Sequence, residues 1–162
     1  MRPLYETESD SSAEAEVAKA YAKHYHMRPV KRKPQDYLDY DILSAISDRV
    51  MVTIEIKVRK PQYKSLIEQK GYMLSAEKWK HLQRTNKQTG LAALVVAFDY
   101  NDRYEIYTLI FGRKTYPEIL PVMGGRTKKQ RDAADIELVV YIPWQKFLHL
   151  TSDSKTNIRK LS

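Results

Sequence analysis

Between Val50 and Arg59 the chain alternates strictly. Val50, Val52, Ile54, Ile56 and Val58 are β-branched, and Met51, Thr53, Glu55, Lys57 and Arg59 fall between them. Successive side chains of a β-strand point to opposite faces, so the pattern predicts a strand with one aliphatic face. Its other face carries Glu55 and Lys57 side by side, about 7 Å apart along the strand, and is expected to meet water. Tyr37 to Ile46 alternates as well, with Leu38, Tyr40, Ile42 and Ile46 on one side and Asp39 and Asp41 on the other. Ser47, Asp48 and Arg49 have turn chemistry, which makes the two runs an antiparallel hairpin. Burying both aliphatic faces together requires an odd-length loop. A loop at 47–49 pairs Ile46 with Val50 and sets Asp41 opposite Glu55. Directly opposed β-carbons lie about 4.5–5.5 Å apart, so Asp41, Glu55 and Lys57 are expected to converge on one patch.

The flanking segments supply the rest of an architecture. Ser11 and Ser12 are candidate caps for an alanine-rich helix from about Ala13 to Met27, with glutamates where the helix dipole favours negative charge. Residues 27–34, with prolines at 29 and 34, read as a basic connector or an irregular first strand. For residues 60–74 two readings stay open: a short helix opened by Pro61 and closed by Gly71, or a strand extension with a loop. Ser75 caps a helix over 76–88 with Trp79 and Leu82 inward, and Gly90 ends it. Leu91 to Phe98 is a continuous apolar run, as expected for a strand covered on both faces. Strand, helix, strand implies that it runs parallel to the strand at 50–59. Further strands are expected at 104–111 and 136–142, a long connection between them, and a short helix from Pro143 to Leu150. The sum is one α/β domain over residues 13–150, a central mixed β-sheet flanked by helices. A lead at 1–12 and a polar basic tail at 151–162 complete the chain.

Composition narrows the function. The chain has 162 residues, enough for one domain with a real core. It has no cysteine, which rules out disulfides and thiolate metal sites and is compatible with a reducing cytoplasm. Neither a signal peptide nor a membrane-spanning run is present. With 28 basic against 20 acidic residues the net charge is +8, which suits a polyanion such as nucleic acid. His24 and His26, two apart on a helix, point away from each other and make no zinc site. Most of the 12 tyrosines are expected in the core or half-buried in strands.

Two carboxylates on rigid strands are hard oxygen ligands for Mg²⁺, with Mn²⁺ as a substitute. A lysine two residues on can orient or deprotonate a water, or stabilise charge developing on phosphate. Asp41, thirteen intervening residues, then Glu55-Ile56-Lys57 resembles the PD-(D/E)XK phosphodiesterase superfamily of restriction endonucleases and Holliday-junction resolvases. Tyr40 stands where that pattern has proline. The resemblance implies a restriction-endonuclease-like αβββαβ core with a C-terminal strand and helix added. It implies metal-dependent hydrolysis of DNA phosphodiester bonds, including branched substrates, with Asp41, Glu55 and Lys57 catalytic and Mg²⁺ on Asp41 and Glu55. Glutamates on the first helix often join such sites. Glu14, on the stripe of Val17 and Tyr21, is preferred to Glu16, although both also suit the helix dipole. Candidate nucleic-acid contacts are Lys60, Lys64, Lys78, Lys80, Arg84 and the basic loop of Arg126, Lys128, Lys129 and Arg131. A homodimer is compatible with this reading. The competing classes are a protein of the same fold that binds nucleic acid or a partner protein in a regulatory role without cutting, and an interaction module whose basic charge meets an acidic protein.

Overall fold

The computed structural model describes residues 8–112, 114, 116–125, 136–150 and 158–159. In chain order the elements are α1 (Glu8–His24), β1 (Met27–Lys31), β2 (Tyr40–Ser44), β3 (Val50–Arg59), a 3-10 turn at Pro61–Tyr63, α2 (Lys64–Lys70) and β4 (Tyr72–Ser75). There follow α3 (Ala76–Thr89), β5 (Ala92–Asp99), β6 (Arg103–Ile110), β7 (Val122–Gly125), β8 (Ile136–Ile142), a 3-10 turn at Trp144–Lys146, β9 (Leu148–Leu150) and β10 (Ile158–Arg159). A seven-stranded mixed sheet runs β1-β2-β3-β5-β6-β10, with β9 also paired to β6. A second, three-stranded sheet runs β4-β8-β7. As the apolar run at 91–98 predicts, β5 lies parallel to β3, joined to it by a crossover through α2, β4 and α3.

Each face of the large sheet has its own cover. On one, Val17, Ala18 and Tyr21 of α1 pack against Ile42, Ile54, Ile56 and Val95. Ile54 and Ile56 are wholly buried, each contributing about 1.5–3 kcal/mol of transfer free energy. On the other, Trp79 and Leu82 of α3 join Tyr72, Leu74, Val140 and Ile142 of the small sheet against Leu94, Val96 and Phe98. Here the structure corrects an expectation. The middle of the polar face of β3 does not meet water, because α3 and the small sheet lie over it: Thr53 is buried and Glu55 is 0% exposed, while Lys57 and Arg59 are half-buried.

Several boundaries also differ from expectation. The first helix starts at Glu8, inside the expected lead, and stops at His24; His26 takes φ 56 and turns the chain into β1. Proline at 29 is tolerated because β1 is an edge strand. Residues 60–74 combine both open readings, a helix and then a strand. Gly71 makes that possible: it sits at φ +91, and a Cβ there would lie 2.7 Å from the Ile142 carbonyl oxygen. The helix expected over Pro143 to Leu150 is a single 3-10 turn followed by β9, whose residues pair with the free side of β6. Of the C-terminal tail, Ile158–Arg159 also pairs with β6. α3 begins as predicted, with Ser75 Oγ accepting from the Lys78 N–H at 3.1 Å, and ends at Gly90 in the left-handed region at φ 72.

Candidate functional site

The β2–β3 register decides which carboxylates meet. Tyr40 pairs with Ile54, Asp41 with Thr53 and Ile42 with Val52, before a bulge brings Leu43 against Val50. Asp41 is therefore not opposite Glu55. The expected loop at 47–49 is longer. Ile46 leaves the strand and is 95% exposed, while Ser44 and Ser47 hydroxyls and Arg28 hold the backbone of the turn. Local side-chain hydrogen bonds of this kind compete with the ladder and lengthen a turn. The slip amounts to two residues, which preserves parity. Asp41 stays on the expected face but sits between Thr53, whose hydroxyl donates to it at 2.8 Å, and Arg32, at 3.0 Å.

Asp39 takes the place expected of Asp41. The ladder ends at the Tyr40–Ile54 pair, and just beyond it the Asp39 N–H donates to the Ile54 carbonyl at 2.8 Å. Leu38, just before it, has φ 71, a conformation costing about 1–2 kcal/mol for a residue with a Cβ. That turn ends the ladder, and the Ile56 N–H donates at 2.7 Å to Asp39 Oδ2. The carboxylate is thereby fixed beside β3 and is nearly buried, at 6% exposure. Tyr37, two residues upstream, stacks flat on His81 of α3 with ring centroids 3.4 Å apart, fastening the approach to Asp39 onto the helix.

Around Glu55 the charges alternate in sign. Lys57 Nζ lies 3.3 Å from Glu55 Oε1, and Lys78 Nζ lies 3.0 Å from the same oxygen. A buried carboxylate is costly unless paired, and here two ammonium groups compensate it. Burial pulls the Lys57 ammonium down, but Glu55, Tyr72 and Asp39 together outweigh it and the net shift is upward. The Tyr72 hydroxyl is buried and makes no hydrogen bond among the described residues, and Arg59 lies over its ring at 5.5 Å. Burial pushes that phenol up against the opposing pull of Arg59 and Lys57.

The remaining expected site residues scatter. Glu14 rides on α1, which covers the opposite face of the sheet from Glu55, so the fold does not bring the two together. Lys64 is engaged elsewhere: it pairs with Glu105 Oε1, which also accepts from the Tyr107 hydroxyl, and it lies 3.9 Å from Glu68. Burial raises the Glu105 carboxyl, but those two bonds outweigh it and the group ends below its usual range. Lys60, Lys80 and Arg84 are exposed. Lys78, expected as a nucleic-acid contact, points to Glu55. Arg126, Lys128, Lys129 and Arg131 lie outside the described residues. Asp39 and Tyr72 were not anticipated. Parity already allowed Asp39, since it shares a face with Asp41; only the turn length chose between them. Nothing in the pattern marked Tyr72, whose position follows from the strand that Gly71 permits.

Asp39 and Glu55 offer oxygen donors to a hard cation, and among the described residues no set of three His, Cys, Asp or Glu side chains gathers as metal ligands. Two carboxylates suffice for Mg²⁺, which keeps most of its shell as water and phosphate oxygens, so the donor set fits that ion. No helix among the described residues is long and apolar enough to cross a membrane. The sequence model of a family described as "Phage putative PDDEXK endonuclease" matches residues 1–150. No curated protein and no solved structure matches the chain.

Proposed function

The chain belongs to the phage PDDEXK endonuclease family, and from that premise we propose that it is a metal-dependent endonuclease that hydrolyses phosphodiester bonds in DNA, acting in the cytoplasm of the infected cell. One observation carries the reading to particular residues: the Ile56 N–H holds the Asp39 carboxylate against β3, between the strand positions of Glu55 and Lys57, which pair with each other. Asp39 and Glu55 would hold Mg²⁺, or Mn²⁺ in its place. A bound Mg²⁺ supplies Lewis-acid stabilisation of the phosphoryl oxygens and acidifies a coordinated water. Lys57 offers a fixed ammonium whose N–H groups can orient the attacking water and offset charge growing on the phosphate. Tyr72 Oη, buried beside these groups with its hydrogen-bonding capacity unspent, can donate to a phosphate oxygen. Lys60, Lys80 and Arg84 would position the backbone without reading sequence.

The test is divalent-metal cleavage by the purified protein on linear duplex, single-stranded and branched DNA and on RNA. Cleavage of a DNA substrate in Mg²⁺ and its loss in EDTA are expected. Salt-sensitive binding with no cleavage of any substrate would leave a binding protein on a nuclease fold.

A further inference from the structure

Resting on the reading of Asp39 and Glu55 as metal ligands, we propose that Lys78 is an exchangeable counter-ion. It neutralises Glu55 in the metal-free protein, and turns to a phosphate oxygen when a divalent cation takes Glu55.

The argument is a balance of charge in a buried place. Ionised Asp39 and Glu55 contribute two negative charges, and Lys57 and Lys78 contribute two positive ones. Within these four groups the charges offset one another, which helps a buried carboxylate on the central strand to be tolerated without metal. A divalent cation on the same carboxylates leaves a surplus of two positive charges, which calls for an anion. Two ammonium groups already share Glu55 Oε1, so a cation arriving there must compete with them.

Lys78 is the one suited to leave. Lys57 is built into β3, where it pairs with Val96 of β5, and Asp39 and Tyr72 act on its charge besides Glu55. Lys78 comes from a different element, the first turn of α3, and Glu55 is its ion-pair partner. Its Nζ is buried and, Glu55 apart, has no polar partner among the described residues, so N–H groups beyond the Glu55 contact stay available to an oxyanion. Neighbouring Glu77 does not claim it, lying 3.8 Å from His81 Nε2 instead. Lys78 would then couple two ligands: metal strengthens phosphate binding, and phosphate strengthens metal binding by the same factor.

The experiment compares full-length wild type with Lys78→Met, Lys78→Arg and Glu55→Gln. Mn²⁺ affinity is measured by calorimetric titration without nucleic acid, and affinity for a DNA duplex by fluorescence anisotropy in Ca²⁺ and in EDTA. Lys78→Met should bind Mn²⁺ about tenfold more tightly than wild type, the scale of losing one modest competitor charge. Its gain in DNA affinity from Ca²⁺ over EDTA should shrink several-fold, and Lys78→Arg should stay near wild type in both. Unchanged or weaker Mn²⁺ binding by Lys78→Met, or an undiminished Ca²⁺ gain, overturns the exchange. If Lys78→Met does not fold, Lys78→Gln carries the same expectation and the same refutation. Glu55→Gln separates the two levels. If it binds Mn²⁺ like wild type, Glu55 is no ligand and both readings fall. If it loses Mn²⁺ while Lys78→Met is unaltered, only the exchange falls.

Discussion

Replacing Glu55 by glutamine keeps the side chain's shape and removes the charge that two lysines share. At separations of 3.0 and 3.3 Å, each attraction is about 5 kcal/mol gross at an effective dielectric constant of roughly 20. Desolvation offsets most of this, and breaking such a buried pair nets about 3 kcal/mol of destabilisation. For a chain of this length that lowers Tm by about 6–12 °C. The pocket loses one negative charge and becomes more positive, since Asp39 alone remains against Lys57 and Lys78. Two readouts follow, thermal unfolding by circular dichroism and anisotropy of labelled DNA in EDTA at low salt. Glu55→Gln should unfold earlier, yet bind DNA without metal at least as tightly as wild type, and should not cut when Mg²⁺ is added. Weaker metal-free binding by a folded Glu55→Gln would mean that phosphate does not approach this face, and would refute the electrostatic account.

Two further outcomes test the scaffold. Gly71→Ala places a Cβ 2.7 Å from the Ile142 carbonyl oxygen at φ +91, so unfolding should shift by about 1–3 kcal/mol; an unchanged Tm would contradict that close approach. Glu105, whose carboxyl burial pushes up but Lys64 and Tyr107 hold below the usual glutamate range, contributes stability that is present above the unfolded-state value. This stability is lost as pH falls through the folded-state value. The Tm of wild type should therefore drop from pH 5 downward more steeply than that of Glu105→Gln, as differential scanning calorimetry across that range would show.

The alternation at 50–59 specified β3, its aliphatic face and the side of the strand bearing Glu55 and Lys57, because side-chain period is a local property. Leu91 to Phe98 announced a strand covered on both faces, and that is where β5 lies. Ser75 and Gly90 marked the ends of α3 by cap chemistry alone. Turn length resisted the same treatment. Ser44, Ser47 and Arg28 decide it together, and Arg28 reaches the turn from another strand. A slip of two residues then exchanged Asp41 for Asp39; Tyr40, Asp41 and Ile42 kept their faces, while Leu38 joined the opposite core and Ile46 left the strand. Glu14 failed for a different reason: its helical stripe shows that it is near the core, not on which side of the sheet the helix packs. Lys78 read as a nucleic-acid contact on a basic helix, and its pairing with Glu55 was not legible because a buried carboxylate across the fold cannot be seen from the helix itself.

The central claim is that the metal-binding carboxylates are Asp39 and Glu55, and it is tested most directly by single-turnover cleavage of DNA in Mg²⁺. Wild type, Asp39→Asn and Asp41→Asn would be compared at equal folded concentration. Asp39→Asn should lose at least about a hundredfold in rate, since a ligand matters more than the outer-shell partners whose loss already costs about 10–100-fold. Asp41→Asn, which disturbs only the part-exposed contacts with Arg32 and Thr53, should stay within about tenfold of wild type and lose about 1 kcal/mol of stability. An Asp39→Asn protein that cuts at the wild-type rate, or a dead Asp41→Asn beside it, would contradict the assignment.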